Sequence, residues 1–401
     1  MKRIAFLKNP VQNYAWGSLT FIPELLGWKA PAENPVAELW MGAHPKAPSM
    51  VRMDGEERSL LELIQERPEE ILGKKVVEKF SRTLPFLFKI LAASRPLSIQ
   101  AHPNKNQAFE GFERENRLKI PFNDPSRNYR DHNHKPEIIC ALRPFWAMKG
   151  FRPIGEIMDK LGPMNLPSLK DPLRLLKRDR SGDGLRHFYT TLMTIDKSSQ
   201  EALVSDVFDY CAKNTHKDPA FEWVIKLHEE YPGDIGVISP LLLNVIRLEP
   251  GEAMFIQAGV LHCYLEGCGV ELMANSDNVL RGGLTAKHVD VQELLRILNF
   301  SHQGVDILKP VTLSNGEMYY PAPAKEFILS VIQLKERESF TSPRHRSVEI
   351  LICAEGSAAL TDLESRGQLA LSKGGSILVP ASVAQYRVEG KVKIFKASVP
   401  L

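Results

Sequence analysis

Four side chains in three separated stretches of the chain have the types and spacing to share one metal ion. Gln100 and His102 stand two residues apart in Leu97-Ser98-Ile99-Gln100-Ala101-His102. Glu137 opens the apolar run Glu137-Ile138-Ile139-Cys140-Ala141-Leu142 after Pro136, and His262 ends Gly259-Val260-Leu261-His262. Two imidazoles, one carboxylate and one neutral amide oxygen form a borderline donor set that zinc accepts with room left for water or substrate, and manganese or iron would suit these ligand types nearly as well. One carboxylate cancels only half the charge of a divalent ion. The bound metal would keep positive charge to polarise a substrate oxygen, which favours Lewis-acid chemistry. Read singly, each residue has an ordinary structural role: a histidine among 11 is more often structural than a ligand, and glutamine is a rare zinc ligand.

Strands must bring these residues together. In 97–102 the alternation puts Ser98, Gln100 and His102 on one face and Leu97, Ile99 and Ala101 on the other. Residues 84–91 read as another strand and 60–80 as one amphipathic surface helix. From 151 to 235 the character turns helical. Ser198-Ser199-Gln200-Glu201 offers a capping box ahead of Leu203, Val204, Val207, Phe208 and Cys211 at helical spacing, and 220–230 is a second helix. Pro232-Gly233 breaks the pattern, and strand-like runs resume at 241–248 and 253–257. The expectation is a mainly β fold with a helical insertion that can vary without touching the sheets.

A weak internal repeat links two β regions: residues 251–262 lie over 374–385 with Gly251 on Gly374, Ala258 on Ala381 and His262 on Gln385. Each copy reads as turn, strand, turn, strand, the pattern of an antiparallel jelly roll, and the first resembles the second half of the cupin signature. The second copy lacks the ligand. The fold expected is therefore two cupin-type jelly rolls plus an α-helical domain. Residues 1–150 and 236–300 would form the catalytic unit, 151–235 the helical insertion, and 301–401 a metal-free jelly roll.

The 401 residues suffice for two or three folding units. Lys and Arg total 51 against 48 Asp and Glu, a net +3 without long like-charge runs, so neither nucleic acid nor an anionic membrane is an expected partner. Five cysteines, at 140, 211, 263, 268 and 353, form no CxxC pair, which argues against a disulfide framework and for a reducing compartment. The opening stretch has only four consecutive apolar residues before Lys8, short of a secretory or membrane segment, so a cytoplasmic location is expected.

Tyr129-Arg130-Asp131-His132-Asn133-His134-Lys135-Pro136-Glu137 fits the Y-x-D-x-N-H-K-P-E signature of the type I phosphomannose isomerases at every specified position. The blocks 13–17, 38–45, 97–105 and 275–281 are similar to that family's in the same order, so the resemblance covers nearly the whole chain. It implies one zinc per chain held by Gln100, His102, Glu137 and His262. It also implies interconversion of mannose 6-phosphate and fructose 6-phosphate, an aldose–ketose isomerisation through an enediol, in a monomer whose partner is a small sugar phosphate. Candidate catalytic residues are Arg281, Lys135, Glu271, Asp277 and His134. Candidate substrate contacts are Lys287, Ser98, Lys89 and Trp16, with Trp40 as a further wall. Small departures are Cys263, Gly282 and Ala286, where the family usually has Ala, Ala and Pro.

Other readings fare worse. His132-Asn133-His134 spells an HNH nuclease triplet, but it lies inside the longer signature on a chain of near-zero net charge. A binding cupin without turnover would be expected to lack a ligand, and all four are present. A nucleotidyltransferase fusion would need a glycine-rich nucleotide-binding domain, and none exists here. An isomerase for another aldose phosphate stays open.

Overall fold

Alternating apolar positions sort the β segments into two large antiparallel sheets in this computed structural model, which describes residues 3–53, 55–302 and 304–401. The spine of the first sheet is the 13-residue strand His262–Ala274. Its second half lies between Phe86–Ala93 and Glu137–Ala141, and its first half pairs with Ile99–Ala101 and Phe145–Phe151. The change of partners falls near Gly267, at φ 134°, where a Cβ would lie 2.7 Å from the Phe145 Cα. Only glycine allows that crossing.

The second sheet repeats the device. Its 14-residue spine Glu349–Asp362 pairs first with Val392–Ser398 and Ser376–Val379, then with Gln368–Ser372 and Tyr386–Glu389. The bend lies at a bulge between Cys353 and Glu355 beside Gly356, at φ 75°. The internal repeat is visible in the backbone: Gly251 and Gly374 both have positive φ, and each is followed two residues later by a four-residue strand, Ala253–Ile256 and Ser376–Val379.

Ala5–Lys8 pairs with Ser376–Val379 and with Met50–Met53, which pairs with Glu56–Ser59, so these early strands extend the C-terminal sheet. Val11–Gln12 and Glu38–Gly42, from the same part of the chain, join the first sheet. One apolar core then joins the sheets, with Phe86, Phe88, Ile90, Ile138 and Val270 packed together with Phe327, Leu329, Ile350, Ile352 and Phe395. Along Glu137–Ala141, Ile138 and Cys140 enter this shared core, while Ile139 and Ala141 face the interior of the first sheet beside Phe145 and Ile256.

Ile99 and Ala101 turn their backs to the site and pack in a third core with the helices Ile154–Leu161, Lys170–Arg178, Gly182–Thr194, Lys197–Ala212 and Pro219–Glu230. Several local readings change. The expected helix over 60–80 is three, Leu60–Glu66, Pro68–Leu72 and Lys74–Lys79, interrupted before Pro68 and at Gly73 with φ 89°. The cap of the helix Lys197–Ala212 is Asp196, whose carboxylate accepts from the Ser199 N–H at 3.0 Å, so Ser198 sits inside the first turn. A helix over Lys105–Arg117 was not anticipated, although Asn104 and Gln107 form its capping box. The insertion is not independent of the sheets: Tyr231 Oη donates to the Pro96 carbonyl at 3.0 Å, and Asp234 accepts from the Thr285 N–H at 3.2 Å. Among the described residues no helix is long and apolar enough to cross a membrane.

Because Phe88 is fully buried in the core shared by both sheets, Phe88→Ala is expected to cost about 3–5 kcal/mol. Urea unfolding monitored by circular dichroism measures this, and a loss below about 1 kcal/mol would contradict the shared core.

Candidate active site

The register of the first sheet stacks polar side chains in rows. Glu271 lies opposite Lys89, which lies opposite Trp40; in the next row Met273 faces Glu137; on the other half of the spine His262 faces Gln100, which faces Arg281. Period-two alternation points each of these to the same interior, so a charged residue set in an apolar strand faces a cavity instead of the shared core. The cavity measures about 540 Å³, within the range of small-ligand sites.

His102, Glu137 and His262 bring one ligand atom each within 4.8 Å of one another, and all three are buried. His102 Nε2 is 3.4 Å from Glu137 Oε1, and His262 Nε2 is 3.3 Å from Oε2. On the far side of each ring, Nδ1 meets a backbone carbonyl: Asn278 O at 2.8 Å for His102 and Val260 O at 3.0 Å for His262. A carbonyl only accepts, so each proton sits on Nδ1 and each Nε2 keeps its lone pair. His102 Nε2 is sealed from solvent without a hydrogen-bond partner. An orphaned lone pair facing a carboxylate and a second imidazole lone pair fits a dication. Gln100 lines the cavity next to His262 in the ladder and can add its amide oxygen.

Around this floor the charges are buried in bulk. Lys135 Nζ is 3.0 Å from Glu137 Oε1; Lys89 Nζ is 3.0 Å from Glu271 Oε2 and 3.5 Å from Glu38 Oε1. Tyr264 Oη donates to Glu271 Oε1 at 2.9 Å, and Trp40 Nε1 donates to Glu38 Oε2 at 2.7 Å. Burial opposes ionisation of Glu137, but the Lys135 ammonium, with His102 and His262 beside it, outweighs it and holds the carboxyl well below its ordinary pKa. Burial likewise disfavours the Lys89 ammonium, yet Glu271, Glu38 and Glu137 keep it protonated above the usual lysine range. Glu271 itself is pushed up, by burial against Lys89 and with Glu137 and Glu38 adding to it. Three carboxylates against two ammonium groups leave one excess negative charge, which a divalent cation would reverse.

The remaining candidates divide. Trp16, Ser98, Asp277, Arg281 and Lys287 line the cavity. Asp277 is paired with Lys46 at 2.8 Å and His44 at 3.6 Å, which outweigh its burial and lower its pKa. Arg281 and Lys287 have no ion pair among the described residues. Burial lowers both, and each has a further cation nearby, Arg130 for Arg281 and Arg281 for Lys287. A part-buried arginine and an exposed lysine without a carboxylate make a ready anion site. His134 does not line the cavity: its Nε2 is 2.8 Å from Glu326 Oε1, between the strands Met318–Tyr319 and Ile328–Leu334 of the C-terminal sheet. The HNH triplet is likewise dispersed, with His132 on Glu113, Asn133 on Lys105 and the Asn275 carbonyl, and His134 on Glu326.

The signature segment holds together through one residue outside it. Asn278, fully buried, accepts from the Arg130 N–H at 2.6 Å and donates to the carbonyls of Asp131 and Asn133, both at 2.8 Å, while its own carbonyl meets His102. Sequence reading passed over Asn278, and also Glu38, Tyr264, His44 and Lys46. For Glu38 the signal was present: a lone carboxylate in the apolar strand Glu38–Gly42. Tyr264 carries no such mark.

A metal-binding protein of the cupin class is what this double-layered sheet and its two-imidazole, one-carboxylate floor define. Residues 4–154 match the type I phosphomannose isomerase catalytic domain and 317–399 the mannose-6-phosphate isomerase cupin domain. The chain is 40% identical to the mannose-6-phosphate isomerases of Escherichia coli strain K12 and Shigella flexneri, over 96% of both chains in each case. A solved zinc-bound mannose 6-phosphate isomerase superposes with a TM-score of 0.92 at 37% identity, covering 99% of this chain and 100% of that one. The chain belongs to the type I phosphomannose isomerase family.

In the metal-free protein, burial and the charge of Lys135 press the His102 pKa from 6.5 to about 4. Between these values the unfolded chain binds a proton that the folded protein refuses, so stability is full above pH 6.5 and falls as pH drops toward 4. The expected loss from this residue is about 3 kcal/mol. Urea midpoints of the chelated protein across this window test it: His102→Gln should flatten the slope, and an unchanged slope would contradict the assignment.

Proposed function

We propose that this protein interconverts mannose 6-phosphate and fructose 6-phosphate, with one zinc ion held by His102, His262, Glu137 and the amide oxygen of Gln100. The orphaned His102 Nε2, facing Glu137 and His262 at the floor of a sugar-sized cavity whose wall holds Arg281 and Lys287, neither ion-paired among the described residues, carries this reading. Family membership supports the reaction class, and the zinc-bound relative supports the metal. In the same reading, the first sheet is a catalytic jelly roll, the helices of 151–235 are an insertion, and the C-terminal sheet is a second, metal-free jelly roll.

The reaction moves a proton between neighbouring sugar carbons through an enediol, and its barrier lies in the negative charge that gathers on oxygen. Zinc, when bound, supplies positive charge near that oxygen. Lys89 and Lys135 add fixed ammonium charges in a site where water is scarce. Glu271 exchanges the proton between C1 and C2. Its raised pKa brings it closer to working pH, and Tyr264 and Lys89 hold its two oxygens in place. Arg281 and Lys287 grip the phosphate, so that binding energy remote from the reacting carbons orients them. Trp16 and Ser98 complete the walls. Asp277, tied to Lys46 and His44, lies where it can accept from a sugar hydroxyl.

Chelation is expected to abolish formation of fructose 6-phosphate from mannose 6-phosphate in a coupled assay, and added zinc to restore it; full activity in metal-free protein would sink the metal assignment. Glu271→Gln should lower kcat by about 10²- to 10⁴-fold while stoichiometric zinc is retained, the range expected of a positioned acid–base group. A loss under about tenfold would move the proton transfer to another residue.

A further inference from the structure

We infer that Asp234, in the turn where the chain leaves the helical insertion, is a positioning residue for the anion-gripping loop that carries Lys287. This inference rests on the phosphate reading of Arg281 and Lys287 given above.

Asp234 spends both carboxylate oxygens on backbone N–H groups of two separate segments. Oδ1 accepts from Gly236 at 2.7 Å, which caps its own turn, and Oδ2 accepts from Thr285 at 3.2 Å, which lies across the cavity wall in the loop following the strand Leu280–Gly283. The loop fits closely around it: a Cβ at Gly283 would lie 2.9 Å from Asp234 Oδ1 and 2.9 Å from the Gly236 Cα. Gly283 has φ 134° and Leu284, which is not glycine, has φ 53°. A non-glycine residue in the left-handed region persists only where its surroundings impose it. Here those surroundings are the clasp to Asp234 and the burial of the Leu284 side chain in the core of the helical unit.

The hold passes on to the cation. Thr285 Oγ1 accepts from the Lys287 N–H at 3.1 Å, a local turn that sets where the lysine leaves the backbone. Asp234 therefore determines the position of Thr285, and Thr285 that of Lys287. With both of its oxygens engaged by N–H groups, the Asp234 carboxylate orders the loop without taking up Lys287 or Arg281 in an ion pair. The same turn reaches the opposite wall, where Tyr231, whose carbonyl accepts from the Asp234 N–H at 3.1 Å, donates its hydroxyl to Pro96, two residues before Ser98. The helical insertion thus contributes to the active site by tying two walls of the cavity together.

Steady-state kinetics with mannose 6-phosphate on the zinc-loaded full chain test this through Asp234→Ala, Lys287→Ala and the double variant. Asp234→Ala should raise KM about tenfold with kcat changed less than about twofold, and the double variant should show the KM of Lys287→Ala alone, because both act through one cation. If Lys287→Ala raises KM but Asp234→Ala does not, or if the two increases multiply in the double variant, the positioning role is overturned while the phosphate reading stands. An unchanged KM in Lys287→Ala overturns the phosphate reading and this inference with it. Should Asp234→Ala not fold, Asp234→Asn serves: its single amide oxygen can hold only one of the two N–H groups, so an intermediate KM is expected, and a native KM would overturn the role.

Discussion

A carboxylate buried between two imidazoles and an ammonium group is the constraint on which the rest of the structure depends. Glu137 is almost fully sealed from solvent, and an isolated buried charge of this kind would take up a proton. It stays ionised because Lys135 and His102 surround it, and those groups are only in place because neighbouring strands hold them. The histidines carry their protons on the outward nitrogen because backbone carbonyls of Asn278 and Val260 require it there. The metal-ready lone pairs are therefore a consequence of backbone geometry several residues away, and the site is prepared before any ion arrives.

Supporting that interior falls to both sheets. Strands such as Glu137–Ala141 and Phe86–Ala93 have one face in the site's interior and the other in the core shared with the C-terminal sheet. The second sheet contributes by covering the backs of the strands that carry Glu137 and Lys89. The N-terminal strand Ala5–Lys8 strengthens the arrangement by pairing with Ser376–Val379, so the two ends of the chain close one sheet. Folding of the site and of the C-terminal region are thereby linked through apolar packing, joined by the polar contacts His134–Glu326 and Tyr320 Oη to the Gly251 carbonyl.

The helical unit shows why an insertion between two halves of a sheet is seldom neutral. It enters after Phe145–Phe151 and exits before Leu243–Leu248, a strand that pairs with Phe145–Phe151 along its length, so its ends are held side by side. Its apolar interior is completed by Ile99 and Ala101, the reverse face of the strand that presents Gln100. Its exit turn reaches the cavity walls directly through Tyr231 and Asp234.

Much of this was legible from the chain alone wherever chemistry and local period coincide. Residue types pointed to Gln100, His102, Glu137 and His262 as candidate ligands, the family resemblance singled them out as a set, and alternation put Gln100 and His102 on one face, because period-two geometry is a property of the strand itself. The repeat of Gly251 and Gly374 was readable because a turn of positive φ needs glycine locally. Tertiary structure alone decided that His134 pairs with Glu326, away from the cavity, that Tyr264 and Glu38 join the buried charge network, and that Ala5–Lys8, Met50–Met53 and Glu56–Ser59 join the C-terminal sheet. Apart from the Tyr264–Glu271 bond within one strand, those outcomes depend on partners tens to hundreds of residues away, and neither composition nor period along one segment records which distant strand will lie beside it.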